Sequence, residues 1–290
     1  MNYKVTHKTE YIYYEPVSLC HNIARLVPRK TDQQICTSAS ISIIPQPDIL
    51  NQYDDFFGNK VVYFAIEKEH KKLTVTVYSE IEKNDFASTQ IINKNILWQE
   101  VIEILQQLNE DINEVKQYIP ETALTASDEA IIAYAQKSFT PARPAFEATH
   151  ELMQRIYKDF KFTPGLTTVS TPLLVVMKER KGVCQDFAHL AIACIRAVGL
   201  PARYVSGYIE TLSPKGTEKL VGADASHAWF STFIPGSGWI DFDPTNNIIP
   251  AGQHITIGWG RDYADIAPLK GIIMNSGPHK LHVSVDVKRV

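Results

Sequence analysis

Between Lys181 and Glu210 the chain reads KGVCQDFAHLAIACIRAVGLPARYVSGYIE, and the change of period inside this stretch decides the fold. From Cys184 the residues run apolar and alanine-rich, as in a buried helix, until Gly199 and Pro201 stop it. Strand-like residues follow at once, in ARYVSGYIE. The cysteine sits in the first turn of the helix, close behind Gly182, and its role depends on what the rest of the chain brings to it.

Upstream, helical periods dominate. ILWQEVIEILQQL places Leu97, Val101, Ile104 and Leu105 on one stripe, SDEAIIAYAQKSF opens on Ser127 as a cap, and PAFEATHELMQRIYKDF makes a third helix. TPGLTTVSTP is a loop, and Thr171–Pro172 is read as a cap and first-turn proline opening a short helix through Val176. Downstream, SHAWFSTFI and WIDFDPT are strands joined by the turn PGSG, and the tail HKLHVSVDV alternates as a closing strand. Before residue 90 almost everything has period two, in YKVTHKTEYIYY, ASISIIP, NKVVYFAIE and LTVTVYSEIE. The expected fold is therefore α+β: an all-β sandwich-like domain over residues 1–90, a core of helices then antiparallel strands over 91–255, and a C-terminal strand segment, 256–290, packing on that core.

The 290 residues suffice for two domains, and their net charge of −3 without a long basic run disfavours nucleic acid or anionic lipid as partners. The N-terminus MNYKVTHKTEYIYYEP lacks an apolar export signal, and no apolar run is long enough to span a membrane, so a cytoplasmic location is expected. Four cysteines without paired spacing fit free thiols, with Cys20 and Cys36 read as structural and a bridge between them left open. Cys184 and His189 lack further ligands at zinc spacing, and no acidic calcium loop exists, so no metal or cofactor is expected. Exposed strand edges make a homo-oligomer one expectation.

A thiol of ordinary pKa is only about 3% ionised at pH 7, and a helix N-terminus favours the anion by roughly 0.3–1 kcal/mol. A cationic or basic partner is needed. His189, five residues along the same helix, points about 140° away, and His150 has no acid beside it. His227 lies on a strand whose returning neighbour carries Asp241 and Asp243, and such a hairpin holds an acid against an imidazole. His227 and Asp243 share a face only if the connection is odd-length or contains a bulge. Asp241 has the same parity and stays open on this ground, although it sits nearer the turn. Trp229 shares the face of His227, either as a cleft wall or as core, whereas Tyr204 and Tyr208 are read as packing residues. ETLSPKGTEKLVGADAS, between two strands, is long and polar enough to rim the site. By pattern alone, a cysteine at a helix start is more often buried sulfur than nucleophile.

Three motifs together, RKGVCQDFAHLAIACIRAVGLPARYVSGYIE, ASHAWFSTFIPGSGWIDFDPTNN and IGWGRDYADIAPLKG, resemble the bacterial transglutaminase-like proteins, often described as cysteine proteases. The strand-rich first 85 or so residues are similar to that family's N-terminal region. The resemblance implies a papain-like, transglutaminase-like core with Cys184 as nucleophile, His227 as general base and Asp243 as orienting acid. It also implies a thiol-dependent amide-bond hydrolase working through a thioester on a protein or peptide substrate. A transglutaminase or deamidase with the same triad and a non-catalytic scaffold of the same fold are the alternatives. For the oxyanion, the Cys184 backbone N–H is the first candidate donor and the Gln185 side chain a weaker one. GRDYAD is expected to fix the C-terminal segment rather than to act directly.

Overall fold

The structure, a computed structural model, describes residues 1–84, 92–107, 110–210, 225–274 and 277–290. The polar rim expected between Glu210 and Ser226 falls on 211–224 and so lies almost wholly outside the described residues. In chain order the elements are β1 (Asn2–Val17), β2 (Leu19–Ala24), β3 (Gln34–Ile44), β4 (Ile49–Asp54), β5 (Lys60–Ile66) and β6 (His70–Lys83). Then come α1 (Trp98–Leu105), α2 (Glu110–Lys116), α3 (Glu129–Gln136), α4 (Ala145–Asp159), β7 (Lys161–Phe162), α5 (Leu173–Glu179), β8 (Lys181–Gly182) and α6 (Cys184–Ala197). The chain closes with β9 (Ala202–Ile209), β10 (Ala225–Ile234), β11 (Gly238–Phe242), β12 (His254–Gly260), α7 (Tyr263–Ile266), β13 (Leu269–Met274) and β14 (His279–Arg289).

The alternating N-terminal segments form a sandwich. Sheet β14-β1-β6-β3 faces sheet β13-β2-β5-β4, and side chains of period two from both (Leu73, Val75 and Val77 from β6, Val62, Phe64 and Ile66 from β5) meet between them. Burying a side chain of this size stabilises the fold by about 1.5–3 kcal/mol. Residues 256–290 pack on the core only in part: β12 belongs to its sheet, and Val285 and Val287 of β14 meet Tyr208, Ile255 and Ile257. β14 pairs along the outer edge of β1 from Tyr3↔Arg289 to Tyr13↔His279, and β13 pairs with β2, so both also complete the sandwich. The boundary at 255 also cuts through β12, which is the fourth strand of the core sheet β11-β10-β9-β12. Free backbone edges on β1 and β2 recruit the C-terminal strands, and an alternating pattern reveals a strand's faces but not its partner. Of the alternating tail residues only Val285 and Val287 are buried, while Leu281 and Val283 stay exposed.

The core is an α+β unit built round α6. Its side chains from Phe187 to Ile195 are buried, with α3, α4 and α5 on one side and Tyr204, Ala228 and Phe230 of the sheet on the other. Gly199, at φ 86°, takes the left-handed position that ends the helix. Arg196 then anchors the turn, its buried guanidinium donating to the carbonyls of Tyr118, Ala202 and Arg261 and to the Thr125 hydroxyl. Two caps differ from expectation. Asp128, not Ser127, caps α3 by accepting from the Ile131 N–H. Pro172 occupies the cap of α5, which starts at Leu173 and extends to Glu179, while the Thr171 hydroxyl accepts from the Thr168 N–H instead.

The sandwich is joined to the core by an unusual seal on the free edge of β12. Gln34 donates to the Thr256 carbonyl at 2.6 Å and accepts its N–H at 2.9 Å. Asn59 does the same for Trp259, at 2.8 and 3.0 Å, and the Lys83 ammonium donates to the His254 carbonyl at 2.7 Å. Two side-chain amides thus replace a missing strand, satisfying backbone groups that burial would otherwise orphan. Tyr3, Val5 and Ile81 pack against Tyr208 and Ile255 beside this seam, and the Tyr208 hydroxyl meets His7 Nδ1 at 3.0 Å.

His189 is a packing residue, as expected: its ring lies 5.0 Å from that of Tyr204, and Nε2 accepts the Tyr263 N–H at 3.1 Å. An imidazole accepting at Nε2 must be neutral, and burial pushes its pKa down to about 4. The folded value lies below the ordinary 6.5, so this contribution is fully present above that pH and is lost as pH falls towards 4. The loss is expected to reach about 3 kcal/mol. Thermal melts between pH 7.5 and 4.5 measure it, and His189→Gln, whose amide oxygen accepts at any pH, should flatten the slope.

Candidate active site

The site is assembled where α6 meets the sheet. The short parallel pair β7–β8 fixes the entry to α6, with Thr163 N donating to the Gly182 carbonyl at 2.8 Å. Asp186 folds back to accept from the Val183 N–H at 2.8 Å and from the Thr167 hydroxyl at 2.6 Å. A Cβ at position 182 would lie 2.8 Å from that carboxylate, which explains the glycine before Cys184. Asp186 is buried, which raises its pKa, and its carboxylate serves as the helix cap. The first i→i−4 bond of α6 runs from Phe187 N to Val183 O, so helix geometry leaves the N–H groups of Cys184 and Gln185 without intrahelical acceptors.

His227 enters from β10, one strand from β11. Their register, Ile234↔Gly238 to Phe230↔Phe242, encloses a three-residue connection, Pro235 to Ser237, which is the odd length that the shared face demands. Asp243, just past β11, reaches His227 with Oδ2 at 2.7 Å from Nε2. Nε2 therefore donates to the carboxylate, and Nδ1 is the nitrogen left for Cys184, whose side chain also interacts with this imidazole. Burial alone would lower the His227 pKa, but the hydrogen bonds and charges of Asp243 and Cys184 outweigh it and raise it well above the ordinary histidine value. The structure thus brings Cys184, His227 and Asp243 together.

The Asp243 carboxylate is completely buried. Oδ1 accepts from the Thr245 and Asn246 N–H groups at 2.9 and 3.2 Å, the turn chemistry of an Asp followed by Pro-Thr-Asn. Oδ2 accepts from His227, from Asn246 Nδ2 at 2.7 Å and from His254 Nε2 at 3.0 Å. Burial would raise the Asp243 pKa, yet these donors hold it well below the usual carboxylate range. Asp241 plays a different part, accepting from the Trp229 indole N–H at 3.1 Å. Trp229 itself is buried, its ring 6.0 Å from that of His227 and 5.1 Å from that of His254. It passes over Gly207, where a Cβ would sit 2.5 Å from the indole and 2.1 Å from the Ile255 carbonyl.

His254 and Asn246 escaped the sequence reading. Asn246 stands inside the quoted DPTNN motif, but His254 lies on β12, and no local spacing ties it to Asp243. Its Nε2 carries the proton given to Asp243, its Nδ1 is buried without a hydrogen-bond partner, and burial lowers its pKa, keeping the ring neutral. His227, Asp243 and His254 place their donor atoms within 4.8 Å of one another, a spacing that a metal could also use. The direct ring-to-carboxylate distances of 2.7 and 3.0 Å are those of shared protons. Arg261 pairs with Asp265, and Asp262 caps α7, so GRDYAD fixes the C-terminal turn of the core.

With this geometry in view, comparisons with known proteins are specific. Residues 3–82 match the bacterial transglutaminase-like N-terminal region, and residues 132–244 match the transglutaminase-like superfamily core. An uncharacterised protein of Mycobacterium tuberculosis is 38% identical across 98% of this chain and 92% of its own length. The chain belongs to the transglutaminase-like superfamily. Part of a protein-glutamine gamma-glutamyltransferase of Pseudomonas aeruginosa is 29% identical, over 44% of this chain and 21% of that protein. A candidate cysteine protease from Cytophaga hutchinsonii shares the fold, with a TM-score of 0.76 at 22% identity, over 100% of this chain and 91% of its own. The match to the transglutaminase-like core ends at residue 244, before His254.

His254 is expected to act as a positioning residue for Asp243. His254→Phe removes a hydrogen bond to a buried charge and should cost about 1.5–3 kcal/mol of stability. It should also slow iodoacetamide alkylation of Cys184 at pH 7 several-fold, whereas His254→Gln, which can still donate, should retain most of the rate.

Proposed function

We propose that the protein is a thiol-dependent amide-bond hydrolase acting on a polypeptide, with Cys184 as nucleophile, His227 as general base and Asp243 as the orienting acid. The observation that carries this reading is His227 held by a buried, fully hydrogen-bonded carboxylate at one nitrogen and turned to a helix-start thiol with the other. In the reaction the Cys184 sulfur bonds to the amide carbon, and the carbonyl electron pair moves onto oxygen. The N–H groups at the start of α6 are placed to receive that charge. Collapse breaks the C–N bond as the His227 imidazolium protonates the leaving nitrogen. A thioester remains; His227 takes a proton from water, which attacks the carbonyl and restores the thiolate pair with the acid product. The four free cysteines support a reducing, cytoplasmic setting.

The partial likeness to a glutamyltransferase favours a second reading, in which an amine rather than water resolves the thioester. Incubation with a glutamine-containing protein and a fluorescent amine separates the two. Release of ammonia or peptide without label supports hydrolysis; Cys184-dependent incorporation of label supports transfer. Neither product with wild-type protein, across a diverse peptide library, overturns both.

The thiol supplies an independent check. Because His227 keeps its proton above the ordinary histidine range, an imidazolium faces Cys184 at neutral pH, and alkylation of Cys184 at pH 7 should be faster than that of a free thiol. His227→Ala should slow it at least about 10-fold at pH 7. A rate that ignores this substitution counts against the ion pair.

A further inference from the structure

A second concave surface opens between the sandwich and the core, away from Cys184. It encloses about 1320 Å³, more than a single small molecule needs, and lies between the loops at Arg29 and Phe56 of the sandwich and α2 with the β10–β11 turn of the core. Its floor is the sheet face carrying Arg203, Asp241 and Trp259. Arg203 is only 8% exposed, yet it forms no ion pair among the described residues, and its Nε has no hydrogen-bond partner. Its guanidinium is held against two indoles, 4.3 Å from the ring centre of Trp239 and 3.7 Å from that of Trp259. Arg29 stacks on Trp259 as well, at 3.3 Å; among the described residues its side chain donates to the neutral Phe57 carbonyl and Asn59 amide, and Asp55 and Asp54 act on it through their charge.

Two desolvated cations at one floor call for negative charge. Burial pushes both arginines down to about 10, a measure of the solvation they have lost. Asp241 is the acid whose charge acts most on Arg203, but its Oδ2 accepts from the Trp229 indole and the two form no ion pair among the described residues. Lys30 adds charge at the mouth, against Asp32 and Glu114. Within this mixed rim Phe56 is an apolar patch, 83% exposed and edge-on to Phe57. A planar, always-charged fork between aromatic rings suits a carboxylate, and an exposed phenyl suits an apolar side chain beside it.

We propose that this cleft binds an acidic peptide segment in extended form, with Arg203 receiving a carboxylate and Phe56 covering a neighbouring apolar residue. The lining sets Arg29, Lys30 and Arg203 against Asp32, Glu114 and Asp241, so the guanidinium of Arg203 without an ion pair, rather than a net charge, selects a carboxylate, and the size of the cleft favours a peptide over a single anion. This proposal does not rest on the chemistry assigned to Cys184.

The test uses Cys184→Ala protein, so that no turnover obscures binding. Capped Glu-Leu-Glu-Leu and Gln-Leu-Gln-Leu peptides are titrated by calorimetry and by tryptophan fluorescence, to which Trp239 and Trp259 contribute. The glutamate peptide should bind saturably and at least 10-fold more tightly than its glutamine counterpart, and added salt should weaken it. Arg203→Met should lose that preference with unchanged circular dichroism, and Phe56→Ala should weaken binding several-fold. Equal affinity for the two peptides, or a glutamate-peptide affinity indifferent to Arg203→Met, overturns the proposal. Should Arg203→Met not fold, the exposed Phe56→Ala variant decides, and unchanged affinity there is a refutation. Displacement of the peptide by an equal concentration of inorganic phosphate also refutes it, reducing the cleft to a site for free anions.

Discussion

A carboxylate taken out of water is tolerated only if its charge is met, and Asp243 shows how many groups that takes. Five donors converge on its two oxygens, from a following turn, from Asn246 and from two histidines on different strands. Leaving such a charge unpaired would cost several kcal/mol. The strands of the core sheet are therefore held in one mutual arrangement, and that arrangement is what presents His227 to Cys184. Electrostatics and geometry are here the same requirement: the network that keeps Asp243 ionised also fixes the imidazole tautomer.

The sandwich takes part in this arrangement. Lys83 holds the carbonyl of His254, so the last residue of β6 steadies the histidine that donates to Asp243. Burial lowers the Lys83 pKa to about 8, a sign that the ammonium has exchanged water for this carbonyl. The chain then returns twice to the sandwich through β13 and β14, so its first and last strands close over each other while the core lies between them in sequence. A fold threaded in this way couples the two regions through backbone pairing as well as through side-chain contact.

Much of this was legible before any coordinates. The helix from Cys184 and the hairpin bearing His227 and Asp243 follow from local period, a property of neighbouring residues, whereas parity states only the condition for a shared face, and the strands close on three residues where the sequence suggests the turn PGSG. Asp128 in place of Ser127 as a cap is a one-residue matter of which oxygen reaches the N–H groups. What could not be read is of longer range. Nothing near His254 announces that a carboxylate on another strand needs its proton, and nothing near Gln34 or Asn59 says that their amides will stand in for a strand. The destination of β13 and β14 was hidden for the same reason, because alternation records which face is buried and is silent about which edge lies alongside.

The amide seal on β12 has a bearing on how the molecule can be divided. Residues 132–244 alone match the superfamily core, and cutting the chain before α1 looks like a natural way to isolate it. Such a fragment would lose Gln34, Asn59 and Lys83 together and leave the backbone of Thr256 and Trp259 bare along the edge of the core sheet. Bare strand edges recruit copies of themselves, so the trimmed protein would tend towards edge-to-edge association even if every residue around Cys184 were retained.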